Sequence, residues 1–159
     1  MGNEREQQQI PFAQGPYLSA AFLCEKVLTE TDSVKSAIRI LDRVILTATG
    51  PTPPEQMEPF DYSLALFLKF KSGRARGPMH LEVRLERPDR TSPTPISQTI
   101  YFEGEDDRGI DIIGGVNIKI DSPGLHWFDV YLEGVRITRI PLRIVYLTQS
   151  IQTHAGDGG

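Results

Sequence analysis

The stretch MHLEVRLE (79–86) alternates without a break. Met79, Leu81, Val83 and Leu85 take one phase, and His80, Glu82, Arg84 and Glu86 take the other. Successive side chains of a strand point to opposite faces, so this segment has one apolar face and one charged face. That is the pattern of a half-buried antiparallel strand, and it recurs along the chain. Tyr62, Leu64, Leu66, Leu68 and Phe70 alternate with Ser63, Ala65, Phe67, Lys69 and Lys71. Runs at 96–103, 110–120, 125–132 and 135–147 also read as strands. In the 110–120 run Ile110, Ile112, Val116, Ile118 and Ile120 share a face, and Gly114-Gly115 suggests a bulge or a close backbone approach.

Punctuation supports the same reading. TGPTPPEQMEP (49–59) and RPDRTSPTP (87–95) are connections, because Pro fixes φ and removes a ladder donor. SGRARG (72–77) is expected to close a hairpin between the two alternating runs. SVKSAIRILDRVIL (33–46) fits both helical and strand spacing, and its Ile and Val content favours a strand. Asp42 intrudes on that apolar run and is expected to have Arg39 or Arg43 near it, or a bulge. With a turn at ETDS (30–33), the strands number about eight. The expected fold is all-β: a two-layer antiparallel β-sandwich, immunoglobulin-like or C2-like. Residues 1–16 and 149–159 are expected to be flexible tails around one domain at 17–148.

Bulk properties narrow the function classes. The formal net charge is −4, which gives no general nucleic-acid footprint, so no nucleic-acid partner is expected. Cys24 is the single cysteine, so no intrachain disulfide can form and a reducing compartment is the simpler setting. The polar start MGNEREQQQIPFAQGP is not a secretory signal, and Glu6 stands where a myristoylation signal wants Ser or Thr. No run approaches the ~18 apolar residues of a membrane span. A cytoplasmic location is expected.

GLHWFDVYLEGVRITRIPLRIVYL (124–147) holds the only Trp beside three Arg. A two-residue turn at Glu133-Gly134 sets Leu132 against Val135 and Val130 against Ile137. Continuing that register would put Phe128 against Arg139. One bulge residue at Thr138-Arg139 instead sets Phe128 against Ile140 and His126 against Leu142. The opposite face then collects Trp127, Asp129 and Tyr131 against Arg136, Arg139, Pro141 and Arg143, with Asp129 in reach of Arg139.

AFLCEKVLTETDSVKSAIRILDRV, followed later by GLHWFDVYLEGVRITRIPLRI, resembles a bacterial family of small uncharacterised domains. Its members open with an apolar-CE/CD-V segment and close with a G-x-Y/H-x-F-x-V-x-x-D/E-G hairpin ending in R-I-P-L. The resemblance spans most of 18–147 and implies a β-sandwich. It implies no activity and no catalytic residues.

Candidate sites follow from residue types. Lys69, Lys71, Arg74 and Arg76 around KFKSGRARGP could hold an anion, although like charges at a loop also serve solubility. Glu103, Glu105, Asp106, Asp107 and Asp111 offer oxygens for Ca²⁺, but their spacing is not that of an EF-hand and Arg108 sits among them. His80, His126 and His154 are too scattered for a metal motif, and no metal is assigned. Neither G-x-S-x-G nor a Walker or dinucleotide fingerprint occurs, so no enzyme activity and no cofactor are expected. The expectation is a non-catalytic protein-binding or assembly module acting through Trp127, Tyr131, Arg136 and Arg139, residue types enriched in interface hot spots. The alternative is a small-ligand module using end loops for Ca²⁺, an anionic head group or a sugar. The protein partner carries no name in the sequence, and self-association through an exposed edge strand is a further expectation.

Overall fold

The computed structural model describes residues 11–93 and 95–152. Those residues are all-β, with nine strands in two sheets. β1 (Tyr17–Thr29), β2 (Lys35–Leu41), β4 (Phe60–Lys71) and β7 (Gly109–Ile120) form one sheet in the order β2-β1-β4-β7. β3 (Arg43–Gly50), β5 (Arg76–Glu86), β6 (Ile96–Glu103), β8 (Gly124–Leu132) and β9 (Val135–Ser150) form the other, in the order β3-β9-β8-β5-β6. No helix among the described residues is long and apolar enough to cross a membrane.

The period-2 phases decide what is buried. Leu64, Leu66, Leu68 and Phe70 of β4 share one core with Leu81, Val83 and Leu85 of β5 and with Phe128, Val130 and Leu132 of β8. Phe70 and Phe102 meet edge to face across the sheets, with ring centroids 5.9 Å apart. That geometry suits the opposed charges of ring face and ring edge. Met57 tucks the Pro-rich 49–59 connection into this core, and the Tyr146 hydroxyl donates to the Pro54 carbonyl at 2.7 Å.

Several sequence expectations need correction. Segment 33–46 is neither one strand nor a helix. It divides at Asp42 into β2 and β3, which lie in different sheets, so the strands number nine. Asp42 is exposed at this crossover, where its carbonyl accepts from the Arg143 amide at 2.8 Å. Arg39 instead bonds Glu25, at 2.7 Å. The chain passes from one sheet to the other here without reversing, and β3 pairs with β9 in parallel rather than antiparallel.

SGRARG does not close a hairpin either. β4 lies between β1 and β7, while β5 lies between β6 and β8, so this link crosses between sheets. The apolar phases of β4 and β5 still meet in one core, each from its own sheet.

Parts of the expected tails make contacts with the domain. Gly15 donates to the Phe12 carbonyl and Arg74 to the Gln14 carbonyl, each at 2.9 Å, and Phe12 packs on the core. β9 continues to Ser150. The rest of the expected tails, residues 1–10 and 153–159 with His154, lie outside the described residues.

Candidate functional site

The β8–β9 hairpin organises the outer face of the five-stranded sheet. Glu133 and Gly134 both have positive φ, 48° and 76°, as a two-residue turn matched to strand twist requires. Glu133 also ties the turn to β5. Its amide donates to the His80 carbonyl at 2.9 Å, and its carboxylate accepts from the His80 amide. Leu132 opposes Val135, Phe128 opposes Ile140 and His126 opposes Leu142, as the sequence register requires. The irregularity comes one step earlier than expected: Tyr131 pairs Arg136 and Val130 pairs Thr138, so Ile137 is the extra residue.

This register places Asp129 directly opposite Arg139. Arg139 Nε donates to Asp129 Oδ1 at 2.6 Å, and a terminal nitrogen of the same guanidinium reaches Glu86 at 3.4 Å. The guanidinium also lies 4.4 Å from the Trp127 ring centroid. The Asp129 hydrogen bond, and then the charges of Asp129 and Glu86, outweigh desolvation and tighten the hold of Arg139 on its proton. Asp129 is only 5% exposed, so this carboxylate depends on that partner.

A second unit repeats the arrangement one strand over. Arg84 on β5 sits 4.1 Å from the Tyr131 ring centroid and donates to Glu82. Cross-strand pairing sets Glu82 beside Tyr131, Arg84 beside Asp129 and Glu86 beside Trp127. Three neighbouring strands thus present two aromatic rings, each covered by a guanidinium that a carboxylate holds in place. Arg136 is exposed beside Tyr131 and makes no ion pair among the described residues.

The sequence-predicted residues Trp127, Tyr131, Arg136 and Arg139 therefore do come together on one face. Glu82, Arg84 and Glu86 were missed as part of it. Their outward phase was legible, but the pairing of β5 with β8 is a long-range contact that periodicity does not encode.

The remaining candidates are dispersed or already engaged. Lys69 pairs Asp111 at 2.8 Å, and Lys71 donates to the Asp107 carbonyl at 2.8 Å. Arg74 lies in the crossover, and Arg76 opens β5 in the other sheet. Arg108 takes Glu103 at 2.6 Å and Glu105 at 3.0 Å. Among the described residues, no group of three or more His, Cys, Asp or Glu is placed to hold a metal ion. Cys24 is fully buried, and burial pushes its thiol pKa up. A depression of about 470 Å³ holds the Glu25–Arg39 pair beside Tyr62. Burial first, then the Glu25 charge, raises the Tyr62 pKa, against an opposing effect of Arg39.

The outer face of the four-stranded sheet carries an aromatic stack that the sequence reading did not single out. Phe22 and Phe67 lie with centroids 5.0 Å apart and planes 16° apart. Phe67 in the polar phase of β4 was the available signal.

Comparison with known proteins adds a family. Residues 19–145 match a family of unknown function, DUF6941. No curated protein matches. Among solved structures the chain is similar to the Pseudomonas fluorescens alkylpurine DNA glycosylase AlkC bound to DNA containing an abasic site analog, at 9% identity and a TM-score of 0.38. That similarity covers 79% of this chain and 30% of the glycosylase chain. At that score it decides nothing about fold or function.

Proposed function

Given that the chain belongs to DUF6941, a family of unknown function, we propose that it is a non-catalytic module that binds a protein partner through the outer face of the five-stranded sheet. In this reading the two sheets form an immunoglobulin-like or C2-like sandwich that acts in the cytoplasm as a rigid platform. Trp127, Tyr131, Arg136 and Arg139 carry the contact.

The supporting observation is the double unit of Arg139 on Trp127 and Arg84 on Tyr131, each guanidinium fixed by carboxylates. Side chains held this way lose little further rotamer freedom on association, and that loss is a main cost of binding. Trp, Tyr and Arg are also the side chains that dominate interface energetics. The exposed Arg136 favours a partner that presents carboxylates.

The test pairs wild type with Tyr131→Ser/Arg136→Glu as bait for extract from the native host. Arg139 is left intact, because its loss would orphan the buried Asp129. The variant is expected to melt close to wild type and to lose a protein that wild type captures. Identical capture by both baits would remove this face from the function.

A further inference from the structure

β7 is the longest edge strand, with 12 residues against 7 in β2 and 8 each in β3 and β6. It pairs with β4 without interruption, from Phe60 opposite Ile120 to Lys71 opposite Gly109. Of the two readings of Gly114-Gly115, a bulge or a close backbone approach, the pairing shows no bulge. On its other side β7 has no strand partner among the described residues. Edges are ordinarily blunted by Pro, bulges, short length or charge. β7 has no Pro and no bulge, and its one Lys, Lys119, lies near the end.

Neither glycine is needed by the chain itself. Gly114 and Gly115 are outside the positive-φ set, and a Cβ built on either meets nothing within 4 Å. The pair lies in an exposed strand with room beside it.

The charge order supplies the occupant. The outward row reads Asp111, Ile113, Gly115, Asn117, Lys119, all exposed. A two-fold axis normal to the sheet keeps each row on its own face, so it must centre one residue on its own copy. Centred on Gly115, it sets Asp111 of each copy against Lys119 of the other. Ile112 then meets Ile118, and Ile110 meets Ile120. Centred on Gly114, Asp111 would meet Asn117 and no ion pair would form. Centred on Val116, Asp111 would meet Asp121, a like charge. Lys119 makes no ion pair within its own chain among the described residues, and Asp111, which Lys69 holds through Oδ1 at 2.8 Å, has its second carboxylate oxygen to offer.

We propose that two copies of this chain associate through antiparallel β7–β7 pairing centred on Gly115, joining their four-stranded sheets into one. The two glycines leave the centre of the seam unobstructed. Paired Asp111 and Lys119 close it at both ends and select the register. The platform on the five-stranded sheet is not used in this contact.

Sedimentation velocity on the full chain tests the proposal, with circular dichroism confirming that each variant is folded. Wild type is expected at twice the 17.8 kDa chain mass. Lys119→Asp sets carboxylate against carboxylate at both ends and should weaken the dimer about tenfold or more. The exchange Asp111→Lys/Lys119→Asp, made together with Lys69→Asp so that position 111 keeps its opposite charge on β4, restores opposite charges across the seam and should recover the dimer. A wild type that stays monomeric at its highest soluble concentration overturns the proposal. So does a dimer indifferent to Lys119→Asp, or one that the exchange does not restore.

Discussion

Asp129 and Arg139 show what single positions contribute. A carboxylate 5% exposed, with its main partner 2.6 Å away, is left with an unmet desolvation cost when that partner goes. Arg139→Ala is therefore expected to destabilise the fold by about 1–3 kcal/mol in denaturant unfolding, whereas exposed Arg136→Ala should stay within about 0.5 kcal/mol. Equal effects would mean that Arg139 is not the structural member of the pair. His126 is the other informative residue. It is 1% exposed, and its Nε2 has no partner. Burial, then the Arg87 charge, lowers its pKa below the usual 6.5, against raising effects from the Gly124 carbonyl, Asp121 and Asp89. The unfolded chain thus takes up this proton at a higher pH than the folded chain does. The His126 contribution is fully present above the unfolded pKa and is lost as pH falls from there toward the folded pKa. His126→Leu should flatten the decline in stability between about pH 7 and pH 5, and should not destabilise at neutral pH, since it removes an orphan polar atom. An unchanged pH profile would show that His126 is not its source. At this scale the sequence was legible in residue type and face: Asp129 within reach of Arg139 followed from alternation once a bulge was placed in the second strand. Burial depth was not, because the covering atoms come from distant segments.

Elements divide by the range of the contacts that define them. The β8–β9 hairpin was readable because its turn, bulge and pairs all lie within 124–147, and one turn residue type fixed the register. The bulge came at Ile137 rather than Thr138-Arg139, so Val130 meets Thr138 instead of Ile137. The link at 72–77 was misread because two alternating strands joined by a short link look alike whether they pair or face each other. Likewise, 33–46 holds two strands because Asp42 sits where the chain changes sheets, and periodicity has no mark for such a change. Since the hairpin positions every side chain of the binding face, its turn is a sensitive point. Gly134 has φ of 76° with open space around its Cβ position, so the penalty for a side chain there is conformational. Gly134→Ala is expected to cost about 1 kcal/mol or more, lowering the denaturant midpoint at an unchanged m-value. A neutral substitution would mean that the turn does not require left-handed geometry.

For the whole molecule, the consequence of two sheets on one core is cooperative unfolding. Phe70 and Phe102 join the sheets, and Phe70 is fully buried. Phe70→Ala should cost about 3–5 kcal/mol. Trp127 fluorescence, which reports on the five-stranded sheet, should shift together with the far-ultraviolet signal. Separate transitions would mean that the sheets are stabilised independently. The all-β class was legible from alternation because each strand carries its own two-faced pattern. The partition of strands between sheets was not, since it depends on which apolar faces meet. The central claim is that the Trp127–Tyr131 face is where a partner sits. Hydroxyl-radical footprinting of the free chain and of the complex captured from host extract tests it most directly. Trp127 and Tyr131 are expected to be oxidised in the free chain and shielded in the complex, while Tyr17 on the other sheet, 48% exposed, stays equally reactive. Unchanged oxidation of Trp127 and Tyr131 in a verified complex would contradict the account.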